Sequence, residues 1–215
     1  AAAAPGMSLR MQSSQPEATA EPTASMTRLA VVRNGEPEQL VRNALEALGG
    51  MQTFVKPGAN VIIKPNICVS YRSYEQAATT NPWVVGALVK LAFETGAARV
   101  RVMDAPFDGS AADAYAFSGI QQQVETNGGQ MEYMSGFKYV STELPQGLDF
   151  RSTEIYDEIL NADVVINAPI AKDHGLARLT LGMKNLLGVV KNRPGFHANI
   201  GQRLADLASR VRPVL

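Results

Sequence analysis

The middle of the chain alternates between short apolar runs and longer segments whose apolar residues recur at helical spacing. The apolar runs predict strands at 29–33, 60–64, 99–103 and 163–167. After the first run, "EPEQLVRNALEALGG" (36–50) predicts a helix that stops at its glycine pair. "TNPWVVGALVKLAFETGA" (80–97) predicts another, with Thr80 or Asn81 as N-cap and Pro82 in the first turn.

Weaker patterns fill the remaining length. Residues 110–129 and 152–162 predict helices, and 131–136 and 139–144 predict short strands. Strands that alternate with helices form βαβ units, in which a parallel sheet is covered on both faces. We therefore expect an α/β fold of three layers, a mainly parallel sheet with helices on both faces, built as a single domain from residues 26–215.

The two ends of the chain differ from this pattern. Residues 1–25 are rich in Ala, Ser, Pro and Thr and have no apolar periodicity, which predicts a flexible tail. The opening alanines are typical of a cleaved export signal, which indicates a periplasmic or otherwise exported protein; a cloning remnant or a start at Met26 is the alternative. The closing "VRPVL" (211–215) begins a new apolar run, so we expect the natural chain to continue.

Composition excludes several classes of function. Lys plus Arg and Asp plus Glu both number 20, so no global field attracts nucleic acid. Cys68 is the only cysteine, so this chain alone ligates no iron–sulfur cluster; we interpret Cys68 as a small buried residue. No apolar run is long enough to span a bilayer.

Three of the predicted strands end in a polar residue next to a proline. These are "IIKPN" with Lys64 and Asn66, "VMDAP" with Asp104, and "VINAP" with Asn167. Proline stops a strand, and parallel strands place their carboxyl ends at one edge, where α/β sheets bind ligands. We expect these four residues to share one rim; the alternative is that each caps its own turn.

The segment that follows Asn167 concentrates basic and amide residues: Lys172, His174, Lys184, Asn185, Lys191, Arg193 and His197. Only Asp173 offsets this charge locally, and crowded like charges repel unless an anion separates them. Lys191 and Arg193 are most simply a solvated loop. Lys184 interrupts an apolar stretch, so it either extends to solvent or serves a pocket.

These residues predict a site for a small anionic ligand. Lys172, Lys184 and His174 are the candidate catalytic residues, with His174 exchanging a proton near neutral pH. The candidate ligand-binding residues are Lys64, Asn66, Asp104, Asn167, Asn185 and His197. The two histidines with Asp104 or Asp173 are too sparse a set for a metal, so no metal site is predicted, and the cofactor is left open.

Four segments of the chain resemble the family called domain of unknown function 362. They are "VIIKPNIC" (61–68), residues 79–106, residues 162–190 and "RPGFH" (193–197). The resemblance implies an α/β fold, frequent export through a twin-arginine signal and occasional fusion to ferredoxin-like domains, without an agreed reaction. Two functions stay open: an enzyme acting on a small anionic substrate, and a non-catalytic accessory or structural subunit of an exported redox or other multi-protein assembly.

Overall fold

The computed structural model describes residues 27–215, so the tail predicted at 1–25 lies outside the described residues. Its elements run in the order α1 (Pro37–Ala47), β1 (Asn60–Pro65), α2 (Pro82–Glu94), β2 (Arg99–Val102), α3 (Ala111–Phe117), α4 (Ile120–Thr126), β3 (Gln130–Met131), β4 (Tyr139–Glu143), β5 (Ser152–Tyr156), α5 (Asp157–Leu160), β6 (Val164–Ala168), β7 (Lys172–His174), β8 (Arg178–Thr180), α6 (Gly182–Asn185) and α7 (Ile200–Arg210). This alternation confirms the α/β class.

A four-stranded parallel sheet forms the centre, with strand order β3-β2-β1-β6. Val61 on β1 lies opposite Val100 on β2 and Val164 on β6, and Lys64 lies opposite Asn167. The strands predicted near 60, 99 and 163 are therefore neighbours. Because they run parallel, their polar ends meet at one edge, as the strand stops predicted.

The two faces of the sheet are covered differently. Val61 and Ile63 pack on the face covered by α1 to α4. Ile62 points to the other face, where α5, α7, residues 186–189 and the antiparallel hairpin β4–β5 complete a second core. The three-layer prediction is confirmed, with a hairpin added to one outer layer.

Local chemistry sets the ends of the long helices. Pro37 and Pro82 stand in the first turns of α1 and α2, where a missing N–H removes no helical bond. The side chain of Asn81 accepts hydrogen bonds from the backbone N–H groups of Trp83 and Val84, which caps α2 as predicted.

The strand predicted at 29–33 is wrong. Leu29 and Val31 are 86% and 81% exposed, and the segment joins no sheet within residues 27–215. The open side of β6 is already paired with the C-terminal residues, because Val214 N–H donates to the Val165 carbonyl and Leu215 O accepts from Asn167 N–H. An apolar run without a neighbouring strand edge has no partner for its backbone groups.

Two predicted helices also need correction. Residues 110–129 form two helices, because Gly119 takes a positive φ of 72° between α3 and α4. In residues 152–162, the first five residues form strand β5, which pairs with β4 at five positions. Only Asp157–Leu160 is helical. The polar residues of β5 tolerate a half-exposed hairpin, and cross-strand pairing outweighs their helical spacing.

Candidate functional site

A pocket of about 430 Å³ opens at the carboxyl edge of the sheet. Of the predicted site residues, those that line it are Lys64, Asn66, Asp104, Lys172, His174, Lys184, Asn185 and His197. Asn167 lies behind the wall and does not line it. The return of the segment after β6 over the rim is what brings these residues together, because β7, β8 and α6 all contribute to the wall.

Lys64 and Asp104 form a buried ion pair at the floor of the pocket. Their Nζ and Oδ1 atoms are 2.7 Å apart, and both side chains are at most 2% exposed. Lys64 also donates to Asn185 Oδ1 and to its neighbouring Pro65 carbonyl. Lys64, expected to neutralise a ligand, instead neutralises Asp104.

Burial dominates the titration of both partners. It lowers the pKa of Lys64 and raises the pKa of Asp104, because each charged form loses its water. The opposite charge of the partner counters each shift, and Asp104 Oδ2 also accepts a hydrogen bond from Ile67 N–H at 2.7 Å. The attraction between the two charges and the hydrogen bond from Ile67 hold the pair in place.

Gly188 allows the chain to lie directly over this pair. A Cβ at this position would overlap Asp104 Oδ1 and would lie 2.6 Å from Lys64 Nζ. Neither atom has space to retreat, since both are buried. Any larger residue would therefore push the strand ends apart from the wall of the pocket, and the sequence alone gave no sign of this contact.

Two asparagines connect β1, β6 and α6. Asn185 is buried and donates from Nδ2 to the Lys64 carbonyl and to Asn167 Oδ1. Asn167 in turn donates to the Gly182 carbonyl at 2.9 Å. The amides of these two residues fix α6 against the strand ends, and their ligand-binding role stays a prediction.

Lys172 reaches into the site from hairpin β7–β8. Its Nζ donates to Asn66 Oδ1 and to the Ala78 carbonyl, each at 2.8 Å. Thr180 closes the hairpin at its base, because its hydroxyl accepts from Lys172 N–H and donates to the Ile170 carbonyl. Both acceptors of the Lys172 ammonium are neutral, so no carboxylate among residues 27–215 contacts its charge directly.

His174 has a defined tautomer. Its Nδ1 lies 3.2 Å from Leu176 N and 3.1 Å from Ala177 N, and it accepts both backbone hydrogen bonds. Neutral imidazole then carries its proton on Nε2. Burial, followed by the charges of Lys184, His197 and Lys172, lowers the pKa of His174. The lowered pKa favours the neutral ring, which can donate through Nε2–H; the proton exchange suggested by the sequence stays a prediction.

Lys184 and Arg193 complete the cationic lining. Lys184 is half-buried and its side chain contacts no acceptor within the described residues; burial and then the charges of Lys172 and Arg193 lower its pKa, against the nearby Cys68. Arg193 lines the pocket and donates to the Pro106 carbonyl, so it is not part of a solvated loop. Lys191 fits that interpretation better, with its amine on Glu154.

Cys68 was also misjudged from sequence. It is only partly buried and lines the pocket, whereas its type predicted a buried position at a strand end. The signal that could have found it is its place two residues after Asn66, on the segment that leaves the rim. Arg193 gave no comparable signal, because its role depends on a carbonyl far away in sequence.

Within residues 27–215, no three or more His, Cys, Asp or Glu side chains converge as a metal site would require. The arrangement can hold negative charge between Lys172, Lys184 and Arg193, and it can offer a neutral N–H donor from His174.

A longer protein is similar to this chain over most of this chain's length. The chain is 33% identical over 190 residues to the thylakoid-associated protein sll1697 of Synechocystis sp.; the match covers 81% of this chain and 56% of the relative, so this chain spans about half the length of that protein.

Among the described residues, every helix is too short or too polar to cross a membrane.

The family comparison covers the sheet and the whole site. The family model described as "Domain of unknown function (DUF362)" matches residues 61–215. That range begins in β1 and includes every residue of the pocket. Because the match extends over well above half of the chain, the protein belongs to the DUF362 family.

Proposed function

We propose that the protein binds a small anionic molecule in the pocket at the carboxyl edge of its sheet. The observation that carries this proposal is the charge of the lining: Lys172, Lys184 and Arg193 face one space, and none of them forms an ion pair within residues 27–215. Three neighbouring cations that have no carboxylate paired with them repel one another unless an anion lies between them.

The lining also limits the chemistry of the ligand. Lysine ammonium groups bind carboxylate or phosphate as compact point charges. Apolar side chains of Ile67, Ile170 and Leu187 line the same space, so part of the ligand is expected to be apolar. A volume of about 430 Å³ suits a small metabolite rather than a polymer.

His174 supports an enzymatic role for this site. A neutral imidazole with its proton on Nε2 can donate a hydrogen bond to a ligand oxygen while two backbone N–H groups hold the ring in place. Such a fixed donor stabilises negative charge that develops on oxygen during a reaction. The proposed enzyme therefore uses Lys172 and Lys184 for charge and His174 as the donor.

Calorimetric titration with oxalate, malonate, pyruvate and inorganic phosphate tests the anion site. We expect millimolar or tighter binding of at least one anion, and Lys172→Met should weaken it by about 1–3 kcal/mol because a charged hydrogen-bond partner is lost. Lys56→Met is the matched control, because Lys56 is exposed and its amine lies on the Gln52 carbonyl. Absence of binding in the unmodified protein, or equal loss in both variants, contradicts the proposal.

A second candidate is the accessory subunit of an exported assembly, and one surface favours it. We call this surface the hairpin ridge; it consists of the exposed side chains of Leu176, Leu179, Leu181 and Met183. Contiguous apolar side chains on a surface mark protein contacts more often than isolated ones do. The ridge borders the pocket through Leu181, so a partner seated there would cover the site.

The assembly can be tested in extracts of the native source. If the second candidate is correct, the protein fractionates with the periplasm and migrates above its monomer mass, and the double change Leu176→Ser with Leu179→Ser returns it to the monomer. Leu148→Ser is the control, since Leu148 is 73% exposed but lies outside the ridge. A monomer in native extracts, or an unchanged complex in the double variant, contradicts this candidate.

A further inference from the structure

The amine of Lys184 differs from the other lysine amines that line the pocket. Lys64 is paired with Asp104, Lys191 with Glu154, and Lys172 donates to two neutral oxygens. Lys184 contacts no acceptor in the part of the chain that the structure describes, although it is half-buried in the wall. A lysine placed in this way is available to react with a ligand.

The surroundings of Lys184 make its ammonium group easier to deprotonate. The apolar side chains of Leu181 and Leu187 lie in the same wall, and the cationic groups of Lys172 and Arg193 face the same space. Burial is the main reason that the pKa of Lys184 is lowered, and these two cations add to the effect. A lysine that is desolvated beside other cations is activated as a nucleophile toward carbonyl carbon.

We propose that Lys184 forms an imine with the carbonyl group of a small anionic carbonyl compound, such as a 2-oxo acid. This inference rests on the proposed anion site, because the carboxylate of the ligand would lie between Lys172 and Arg193 while its carbonyl carbon meets the Lys184 amine. One pocket then supplies both the charge that selects the ligand and the amine that reacts with it.

The reaction balances without an oxidant or reductant. The lone pair of the Lys184 nitrogen forms a bond to the carbonyl carbon, and the C=O π pair moves to oxygen. A proton then passes from nitrogen to that oxygen, and loss of water leaves the C=N bond. His174 lines the same pocket, and its Nε2–H can donate a hydrogen bond to the oxygen as negative charge develops on it.

The other nucleophiles of the pocket fit this role less well. Lys64 forms an ion pair with Asp104, donates two further hydrogen bonds at the floor and is 1% exposed. Cys68 would add to a carbonyl through sulfur, and that adduct gives no amine when it is reduced with borohydride. The two outcomes are therefore distinguishable by the residue that carries the stable product.

Reductive trapping with pyruvate and sodium borohydride tests the proposal on the full chain. We expect one carboxyethyl group per molecule by intact mass, located on Lys184 after digestion and diminished by excess oxalate. Lys184→Arg should lose this label, and Lys172→Met should need roughly tenfold more pyruvate for half-labelling. Lys56→Arg is the control variant and should be labelled like the unmodified protein.

The results separate this proposal from the anion site beneath it. Calorimetric binding of oxalate without labelling of Lys184 by pyruvate overturns the imine and leaves the anion site standing. Neither binding nor labelling overturns both. Labelling that spreads equally over exposed lysines, or that oxalate does not diminish, also overturns the imine, because the product would then reflect ordinary surface chemistry.

Discussion

The contacts of individual pocket residues are made with partners that are distant in sequence. Lys64 and Asp104 were predicted to share a rim, and they do, but their direct pairing could not be inferred from strand endings alone. Proline-terminated strands predict an edge, not the side-chain direction at that edge. The same limit explains why Arg193 was assigned to a solvated loop, since its partner is the Pro106 carbonyl.

Asp206 shows how one carboxylate can organise a loop. Its oxygens accept hydrogen bonds from the backbone N–H groups of Leu148, Asp149 and Phe150 and from the Gln202 side chain. Burial would raise its pKa, but these donors stabilise the anion and bring the pKa to about 2.

The lowered pKa of Asp206 predicts that the free energy of unfolding decreases in acid. Its folded-state pKa lies below the ordinary value of 3.8, so its contribution is present above about pH 4 and is lost as the pH falls toward about 2. Asp206→Asn should lower the free energy of unfolding by about 1–3 kcal/mol at neutral pH and flatten its decline in acid. Urea unfolding across this pH interval checks both expectations.

The control for this measurement is Asp173→Asn, which changes the same charge at an exposed position on β7. It should leave both the neutral-pH stability and its acid dependence close to those of the unmodified protein. Equal acid dependence in Asp206→Asn and the unmodified protein would show that these hydrogen bonds do not stabilise the anion.

At the scale of elements, sequence patterns succeeded where local chemistry and tertiary structure agree. Helix α2 was predicted with its cap, proline and stop because all three signals are local. The segment 29–33 failed because strand formation depends on a free neighbouring edge, and β6 pairs instead with Val214 and Leu215. The helix predicted at 152–162 was wrong over β5, because pairing with β4 outweighs the helical spacing of its apolar residues.

Helix α2 depends on Asn81 for its first turn. Asn81→Ala should lower the free energy of unfolding by about 1 kcal/mol, because the N–H groups of Trp83 and Val84 lose their acceptor. Asn81→Asp should restore it, since an aspartate accepts the same bonds. Thermal and urea unfolding measure the difference.

An exposed asparagine elsewhere provides the comparison for α2. Asn43 lies inside α1, and among the described residues its side chain accepts only from the Gln39 side chain, so Asn43→Ala should change stability little. Equal effects at the two positions would mean that the cap of α2 does not stabilise the fold.

For the whole molecule, the pocket is an assembly of segments from most of the described chain. The hydrogen bond between Lys64 and Asn185 joins residues 121 positions apart, and that between Lys172 and Asn66 joins residues 106 apart. The strand endings predicted that these segments meet at one edge, but not which side chains would pair there, because patterns of spacing carry no information on side-chain partners.

The pairing of β1 with β6 has a consequence for the order of events during folding. Closing a long loop costs conformational entropy before its contacts form, so pairings between distant segments form slowly. Val61 on β1 pairs with Val100 on β2 once the shorter of two loops has closed. Its pairing with Val164 on β6 requires the closure of a much longer loop. A chain emerging during synthesis can therefore complete α2 and β2 early, but the wall of its pocket is incomplete until the segment beyond β6 has returned.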